Sequence, residues 1–404
     1  MQNVVLEKPY HFVPPHRGNW WPTVIQSCRL LNVWLRTNHG VVRHECRHID
    51  RLRDSLNAGH GILLTPNHSC VADPIVMGFP ARDAGTHVYA MASWHLFNQS
   101  SFTSYAIQKM GAFSVNREGI DRKAINTSTE ILTNAERPLI LFPEGATTRT
   151  NDQLQSLLDG VAFIARTAVK KRARMIDGGK VVVHPVAIKY CFEGDLFETL
   201  DPVLTNIERR LTWNPSQKIP LLERILKIGK GLLTLKEIQY FGKSQSGPLS
   251  SRCTALIDHL LQPIEQEWLN GQREEDVIPR TRILRSVIVP EMTHDEITQS
   301  EWNRRRQQLE EIHLANQVSG YCSDYLVSYP SVDRLREAVD RFEDILTGKV
   351  SPHAPQKVIL EIGKAIEVTA NQERSRDSDE LMGQIRKVLQ SMMDRLAKES
   401  PRIQ

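Results

Sequence analysis

The chain has 404 residues, of which 40% are hydrophobic and 24% charged, a composition typical of globular proteins rather than of disordered or collagen-like chains. At roughly 150 residues per domain, this length predicts two to three domains. Lysine and arginine number 51 against 47 aspartate and glutamate, and the net charge of +4 is too small to indicate nucleic-acid binding. We therefore expect a globular protein of several domains with no nucleic-acid partner.

Cysteine and hydropathy patterns limit the class further. The six cysteines include no Cys-x-x-Cys pair, which argues against a redox dithiol or a cysteine zinc site and suits a reducing cytosol. Residues 1–18 lack the basic and apolar regions of a secretory signal, and no run of about 18 apolar residues is long enough to cross a membrane. His44, Cys46 and His48 share one face of a predicted strand, but adjacent strand positions seldom converge on one ion, so we expect no metal site.

In chain order, the first predicted element is an amphipathic helix over residues 19–36. Apolar residues recur there at helical spacing, and three of the seven tryptophans lie on it, at Trp20, Trp21 and Trp34. Tryptophan suits the headgroup boundary of a bilayer, so the helix is a candidate membrane contact. Its apolar face would equally suit packing against a protein core.

Residues 39–199 alternate between predicted strands and helices. The predicted strands are 40–49, 62–65, 88–92, 112–115, 139–142 and 181–188, and the predicted helices are 101–110, 122–133 and 152–171, with a further helix beginning at Asp73. Strands separated by helices in this way are typical of an α/β fold with a largely parallel sheet.

Helical patterns dominate beyond residue 200. The predicted helices are 221–236, 251–268, 295–314, 332–346 and 378–398, the strand-like segments are 236–241 and 357–362, and no repeat of fixed period is evident. We expect four parts: an N-terminal segment with an amphipathic helix (1–38), an α/β core (39–199), a mainly helical insertion (200–353), and a terminal strand and helix (354–404) that return to the α/β domain.

The most informative motif spans residues 66–73, Pro-Asn-His-Ser-Cys-Val-Ala-Asp, directly after a buried strand. A histidine at the carboxyl end of a strand lies where open α/β sheets form their ligand crevice. Asp73 would orient one imidazole nitrogen of His68 so that the other faces the crevice. Taken alone, the pattern also fits a helix cap at Asp73, with Pro74 in the first helical position, and an ordinary loop histidine.

A second motif, residues 139–149, joins a buried strand to Pro-Glu-Gly and then to two threonines and an arginine. Gly145 would let the backbone approach a ligand closely, and Thr147 and Arg149 would supply donors for a phosphate. Alone, this motif fits a turn that enters a helix equally well.

Two shorter segments complete the set. Residues 111–117 run from Gly111 through a short strand to Arg117, and Pro185 interrupts the strand 181–188. A proline there predicts a sheet edge or the start of a strand. In isolation, both segments fit ordinary strands.

In their order and spacing, the four segments resemble the motifs of the glycerolipid acyltransferase superfamily, typified by 1-acylglycerol-3-phosphate acyltransferases. The family pattern runs Asn-His-x4-Asp, Gly-x2-Phe-x2-Arg, Phe-Pro-Glu-Gly-Thr-Arg-Ser and Val/His-Pro-Val, and the matches cover about residues 58–190. The resemblance implies an acyltransferase core of α/β class, with a mixed, largely parallel sheet and flanking helices, plus a mainly helical insertion or C-terminal region.

The resemblance also implies an activity. It is that of a membrane-associated O-acyltransferase that moves a fatty acyl group from acyl-CoA or acyl carrier protein to a hydroxyl of a glycerolipid such as lysophosphatidate. His68 would be the general base and Asp73 would orient it, with no metal, no further cofactor and no acyl-enzyme on Cys70 or Ser69. Backbone N–H groups near Gly145 are candidates for stabilising the oxyanion. The substrate-binding residues that the family pattern implies are Asn67, Gly111, Arg117, Glu144, Gly145, Thr147, Arg149 and Pro185.

Two departures from the family pattern bear on the acceptor. Phe113 comes one residue before the family phenylalanine, and on a strand that shift turns the ring to the other face. Thr147 stands where the family places a phosphate-binding arginine. Arg117, Arg122 and Arg149 would then share the phosphate. The alternatives are acylation of an acceptor other than glycerol phosphate, and a non-catalytic lipid- or CoA-binding protein on this fold.

The same resemblance implies peripheral contact with the cytoplasmic face of a membrane. Residues 201–250 hold eight basic residues against four acidic ones, which accounts for the whole net charge of the chain. We expect this segment to attract anionic lipid or CoA phosphates. The sequence leaves the oligomeric state, the acyl chain length and the regiochemistry open.

Overall fold

The structure is a computed structural model that describes residues 10–175, 179–292, 297–320, 325–353, 355–369 and 379–403. It divides into two compact units, each with its own hydrophobic core. The sheet unit comprises Tyr10–Glu193 and Pro352–Glu399, and the helical unit consists mainly of Gly194–Ser351. The predicted helix starts at residues 295 and 378, and residues 1–9 of the predicted N-terminal segment, lie outside the described ranges.

The sheet unit is built on one mixed sheet. Its strands are β1 (Val41–Arg47), β2 (Gly61–Pro66), β3 (Tyr89–Ser93), β4 (Ala112–Val115), β5 (Leu139–Ile140), β6 (Val181–Phe192), β7 (Gln356–Ile362) and β8 (Ile366–Glu367). They are ordered β1-β7-β6-β2-β5-β3-β4, and β8 pairs with β6. The pairs β6–β7 and β6–β8 are antiparallel and the others are parallel. The predicted α/β class with a mixed, largely parallel sheet is confirmed.

Helices flank this sheet and make up the helical unit. In chain order they are α1 (Trp20–Ser27), α2 (Leu30–His39), α3 (Ile49–Asn57), α4 (Asp73–Val76), α5 (Gly78–Asp83), α6 (Trp94–Phe97), α7 (Ser101–Lys109), α8 (Arg122–Asn134), α9 (Gly160–Arg172), α10 (Leu196–Arg210), α11 (Leu221–Phe241), α12 (Leu249–Leu269), α13 (Val277–Glu291), α14 (Gln299–Ser319), α15 (Tyr325–Ser328), α16 (Val332–Thr347) and α17 (Glu380–Ala397). One hydrophobic cluster joins the sheet to α8, α9 and α17, for example through Ile131 and Ile385. A second cluster joins it to α2–α5, for example through Leu35 and Leu52. Within the described ranges, no helix is long and apolar enough to cross a bilayer.

Among the predicted elements, the first helix and the strand over residues 236–241 differ from the structure in type or extent. The helix predicted over residues 19–36 is two helices, because Arg29 adopts a left-handed backbone conformation (φ 52°) between α1 and α2. The strand predicted over residues 236–241 is the end of α11, where Tyr240 and Phe241 pack against the apolar cluster of the helical unit. Tertiary packing accounts for the second of these differences.

The start of α9 and the position of Pro185 also differ from the predictions. The helix predicted from residue 152 begins only at Gly160, and the Asp152 carboxylate is instead bound to Lys189 on β6 at 2.7 Å. Pro185 lies inside β6, which has neighbours on both sides, so the predicted edge or strand start is wrong. The strand tolerates this proline because its missing N–H falls where the partner changes from β8 to β7, beside Gly363, which donates to the Pro185 carbonyl at 2.7 Å.

The helical unit contains a repeated ion-pair clamp. Helices α11, α12 and α13 begin at residues 221, 249 and 277, a constant spacing of 28 residues. The fourth residue of each is a buried arginine that binds a buried glutamate near the end of the preceding helix. The clamps are Arg224–Glu208, Arg252–Glu237 and Arg280–Glu265, each with an N–O distance of 2.7 Å. The expectation of no fixed-period repeat is therefore wrong.

The clamp at Glu237 shows how the buried charges are kept ionised. Burial raises the pKa of this carboxyl, but hydrogen bonds from Arg252 and from the main-chain N–H of Gln245 outweigh burial and leave the pKa below its ordinary value. A lowered carboxyl pKa stabilises the fold above the ordinary glutamate pKa, and that contribution is lost as the pH falls through the folded-state value.

We predict that Arg252→Ala destabilises the protein by about 3–5 kcal/mol, because it leaves Glu237 buried without its cation. Arg306→Ala is the matched control, since the side chains of its pair with Glu310 are 56% and 46% exposed and such pairs contribute about 0–1 kcal/mol. Thermal unfolding of the full chain, followed by circular dichroism at 222 nm, compares the two. Equal shifts in the unfolding midpoint would contradict a structural role for the clamp.

Candidate active site

Three of the predicted motifs end at the same edge of the sheet. His68 follows β2, Arg117 follows β4 and Glu144 follows β5. The strands β2, β5, β3 and β4 are successive parallel neighbours, so their carboxyl ends share one edge. Open α/β sheets bind ligands at this edge. Pro185 of the fourth motif lies beside it, paired with Thr65 at the end of β2.

His68 and Asp73 form a hydrogen-bonded pair at this edge. The His68 Nδ1 atom lies 2.9 Å from Asp73 Oδ2, and Asp73 is fully buried. With the Nδ1 proton assigned toward the carboxylate, Nε2 keeps its lone pair. The imidazole stacks on Phe142 with ring centroids 4.1 Å apart, and 15% of the His68 side chain is exposed. The ring is thus fixed through Nδ1 and still open to a ligand.

Three donors hold the Asp73 carboxylate. Oδ2 also accepts the Cys70 N–H at 2.8 Å, and Oδ1 accepts the Tyr190 hydroxyl at 2.7 Å. The predicted helix cap at Asp73 is wrong: Ala72 is the N-cap residue, and Asp73 is the first residue of α4. Because its oxygens are engaged by His68, Cys70 and Tyr190, the carboxylate makes no capping hydrogen bond.

Two threonines connect the second motif to His68. The Thr147 hydroxyl lies 3.3 Å from His68 Nε2, the nitrogen that Asp73 leaves available. Thr148 donates its N–H and its hydroxyl to the His68 carbonyl at 2.8 and 3.1 Å. The loop after β5 therefore covers the His68 backbone and brings one hydroxyl to the imidazole.

Glu144 links this loop to the rest of the site. Its side chain is buried, and its two oxygens accept the main-chain N–H groups of His68 at 2.7 Å and Gln155 at 3.0 Å. Burial raises the pKa of the Glu144 carboxyl despite these two hydrogen bonds. Its visible role is to hold the backbone of His68, and its implied role in acceptor binding stays a prediction.

Two asparagine side chains extend the hydrogen-bond ladder of β6 beyond the end of β2. The Asn67 amide donates to the Ile188 carbonyl at 3.0 Å and accepts the Ile188 N–H at 2.7 Å. The Asn151 amide does the same for Tyr190, at 3.0 and 3.1 Å. Alternate residues of β6 thus bind the loops that carry His68 and Glu144. Substrate binding by Asn67 stays a prediction.

A buried ion pair lies between these two contacts in sequence. Lys189 Nζ is 2.7 Å from Asp152 Oδ1, and both side chains are 1% exposed. A buried pair in this position is costly to break, because removal of either partner leaves an uncompensated charge. It fixes the loop after β5 to β6 at a third point.

The part of the chain that contains His68, Asp73 and Glu144 matches a known protein family. Residues 45–189 match the family model named Acyltransferase. This segment is an acyltransferase domain of the glycerolipid acyltransferase superfamily. A search of curated proteins finds no match to the chain. The domain supports acyl transfer as the general chemistry of the site, and the helical unit lies outside the matched residues.

In the acyltransferase domain, Arg117 lies on a turn that is fixed from both sides. Asp121 caps α8 and accepts a main-chain N–H of the turn, at 3.0 and 2.9 Å. Glu118 is buried and binds Trp94 Nε1 at 3.0 Å and His95 Nε2 at 3.2 Å. This scaffold holds the half-buried Arg117 at the carboxyl end of β4, and its implied contact with the acceptor stays a prediction.

The two glycines of the motifs have conformational reasons for being glycine. Gly111 has φ +99°, and a Cβ there would lie 2.5 Å from the Val88 carbonyl oxygen. Gly145 has φ +70°, and its N–H donates to the Phe142 carbonyl at 3.1 Å. That N–H is therefore not available to an oxyanion. Arg149, also in a left-handed conformation (φ 59°), is half-buried in the same loop.

Sequence reasoning missed the residues that support the motifs. The overlooked residues are Tyr190, which binds Asp73, and Lys189, Asn151 and Asp152, which join the loop after β5 to β6. One signal was present: Lys189 lies between Ile188 and Tyr190 directly after a predicted strand, and a lysine that is buried there requires a partner. The partner's identity depends on how the loop after β5 folds back, and no local pattern encodes that. Substrate roles for Gly111, Gly145, Arg149 and Pro185 stay predictions.

Proposed function

We propose that the protein transfers a fatty acyl group from a thioester donor, acyl-CoA or acyl carrier protein, to a hydroxyl of a glycerolipid acceptor such as lysophosphatidate. The observation that carries this proposal is the buried Asp73 carboxylate bonded to Nδ1 of a partly exposed His68, at the carboxyl edge of an acyltransferase domain.

The reaction uses His68 Nε2, the nitrogen that Asp73 leaves available. Nε2 takes the proton of the acceptor hydroxyl as its oxygen attacks the thioester carbonyl carbon. The tetrahedral intermediate then collapses, the C–S bond breaks, and the imidazolium returns its proton to the leaving thiolate. Asp73 stabilises the imidazolium that forms between these steps. The acyl group passes directly to the acceptor, and the side chains of the enzyme form no covalent bond.

We assign the developing oxyanion to the main-chain N–H groups of Ala146 and Thr147. Neither makes a hydrogen bond within the described residues, whereas the N–H groups of Gly145 and Thr148 are both occupied. Pre-oriented N–H groups of this kind stabilise the charge of a tetrahedral intermediate.

The Thr147 contact favours a second candidate function, acylation of an acceptor without a phosphate near its reactive hydroxyl. A neutral hydroxyl lies 3.3 Å from His68 Nε2, at the position where the family pattern has an arginine. A threonine there supplies no charge for a phosphate, so an alcohol such as a monoacylglycerol would meet the base without losing an ion pair.

We further propose that the protein acts as a peripheral protein on the cytoplasmic face of a membrane, where lysolipid acceptors lie. Support comes from α1 and α2, whose Trp20 and Val33 side chains are 64% and 62% exposed. Leu30, Val33 and Trp34 share one helix face by their spacing and are all exposed. Exposed tryptophan and aliphatic side chains are suited to the headgroup boundary.

The first prediction is that His68→Ala lowers the rate of thiol release from acyl-CoA by about 10²–10⁴-fold, because it removes the general base. His60→Ala is the matched control, since His60 lies before β2 at its opposite end. The assay covers lysophospholipids, monoacylglycerol and simple alcohols as acceptors. Absence of turnover with every acceptor, together with binding of acyl-CoA, would contradict the enzyme function and favour a binding protein.

The second prediction concerns the acceptor. If Thr147 disfavours phosphate, Thr147→Arg raises kcat/KM for lysophosphatidate relative to monoacylglycerol about tenfold, because one charge-assisted contact is gained. Thr147→Val controls for loss of the hydroxyl without a new charge. A wild-type protein that already prefers lysophosphatidate strongly would contradict this second candidate and leave the first in place.

The third prediction concerns the membrane. The double variant Trp20→Glu/Val33→Glu should float with anionic phosphatidylcholine–phosphatidylglycerol vesicles about tenfold less than wild type, because a carboxylate resists burial at the acyl boundary. Phe163→Glu, on α9 at 54% exposure, is the control for loss of an exposed apolar residue. Equal flotation of wild type and double variant would rule out this membrane surface.

A further inference from the structure

A buried phenol completes the hydrogen bonding of the His68–Asp73 pair. The Tyr190 hydroxyl donates to Asp73 Oδ1 at 2.7 Å, on the carboxylate oxygen that His68 does not use. Tyr190 lies on β6, outside all four sequence motifs and one residue beyond the matched family segment. Its contact with Asp73 therefore comes from the fold rather than from the local sequence around His68.

We propose that Tyr190 is a positioning residue of this site: its phenol holds the Asp73 carboxylate in the orientation that His68 needs and limits the negative charge that Asp73 presents to the imidazole. The proposal rests on the acyl-transfer function proposed above, in which His68 is the base.

The orientation of the Asp73 carboxylate is fixed by hydrogen bonds at both of its oxygens. Oδ2 of Asp73 accepts from His68 Nδ1 and from the Cys70 N–H, and Oδ1 accepts from Tyr190. A carboxylate held at one oxygen can rotate about its Cβ–Cγ bond, whereas bonds at both oxygens fix its plane. The plane of the carboxylate in turn fixes the direction of His68 Nε2.

Tyr190 is itself held rigidly. The Asn151 amide binds both its N–H and its carbonyl, and the neighbouring Lys189 is ion-paired with Asp152. The backbone position from which the phenol extends to Asp73 is therefore fixed. The same loop that brings Thr147 to His68 is anchored to the strand that carries Tyr190.

The phenol of Tyr190 also affects the charge of Asp73, because it keeps its proton. Burial, and then the negative charge of Asp73, raise the pKa of Tyr190 well above its ordinary value, so the hydroxyl remains a donor. A donor on Oδ1 draws negative charge from the carboxylate. Without it, Asp73 presents more negative charge to the imidazole and stabilises the imidazolium more strongly.

Among the residues that the structure describes, three other titratable groups face this cluster. The Cys70 thiol interacts with the Tyr190 hydroxyl, the buried Glu144 lies at the His68 N–H, and His39 on α2 senses the charge of Asp73. The two substitutions at position 190 used in the test leave all three groups in place. A shift in the titration of His68 in those variants is therefore assigned to the phenol.

The test uses two changes at one position with opposite expected effects. Tyr190→Phe removes the donor, whereas incorporation of 3-fluorotyrosine at position 190 makes the phenol more acidic and a stronger donor. We expect the acid limb of the kcat/KM–pH profile to move to higher pH by about 0.5–1 unit in Tyr190→Phe and to lower pH with 3-fluorotyrosine. In Tyr190→Phe, kcat should also fall about tenfold, with KM nearly unchanged.

Tyr89→Phe is the matched control, because Tyr89 is an equally buried tyrosine whose hydroxyl contacts Glu136 instead of Asp73. It should leave the pH profile in place. A loss of activity in Tyr190→Phe with an unshifted profile, or an equal effect of Tyr89→Phe, would overturn the proposal and leave Tyr190 an ordinary core residue.

A second measurement separates this proposal from the function on which it rests. In protein labelled with [13Cε1]-histidine, the His68 resonance, assigned by its absence from His68→Gln, is titrated by NMR in wild type and both variants. Opposite shifts of the His68 pKa support the proposal even where no acceptor gives thiol release, a result that would count against the proposed function alone. Coincident titration curves overturn the role of Tyr190 whether or not the wild type is active.

Discussion

The site depends on one constraint, which is that β6 is longer than the strand beside it. β2 ends at Pro66, whereas β6 continues to Phe192. Beyond Pro66, the backbone N–H and C=O groups of β6 that face the β2 side are buried and, within the described part of the chain, have no strand to pair with. Unpaired buried groups cost about 1–3 kcal/mol each. The amides of Asn67 and Asn151 satisfy the groups of Ile188 and Tyr190. These hydrogen bonds to the β6 backbone therefore fix both the loop that carries His68 and the loop that carries Thr147.

Buried charge reinforces this arrangement and gives the site its electrostatics. Asp73, Glu144 and the Lys189–Asp152 pair are all withdrawn from water, and each charge has hydrogen-bond partners. In such surroundings the interaction between Asp73 and His68 is screened less than it would be at the surface. The helical unit also contains buried ion pairs, but there the arginine–glutamate clamps join successive helices.

The particular residues show what a single sequence can and cannot reveal. Motif spacing pointed to His68, Asp73, Glu144 and Thr147, because they lie in segments that follow strands whose apolar runs are visible. It did not reveal that Asp73 faces Tyr190, since 117 residues separate the two and only the pairing of β6 with β2 brings them together. The helical repeat was missed for another reason. Its signal is a single arginine and a single glutamate per 28 residues, and apolar periodicity, which also misassigned residues 236–241, does not register it.

The two nitrogens of His68 lie in unequal environments, and in the proposed function that asymmetry separates catalysis from acceptor specificity. On the Nδ1 side, Asp73 also accepts hydrogen bonds from the Cys70 N–H and from the buried Tyr190 on β6, so a change there disturbs how His68 is held. On the Nε2 side, the described contact is a single 3.3 Å approach by the half-buried Thr147. A substitution at Thr147 alters what approaches the base without altering how the base is held. In the function that we propose, exchange of this one loop residue changes the acceptor, while the contacts with β6 keep His68 in place for acyl transfer.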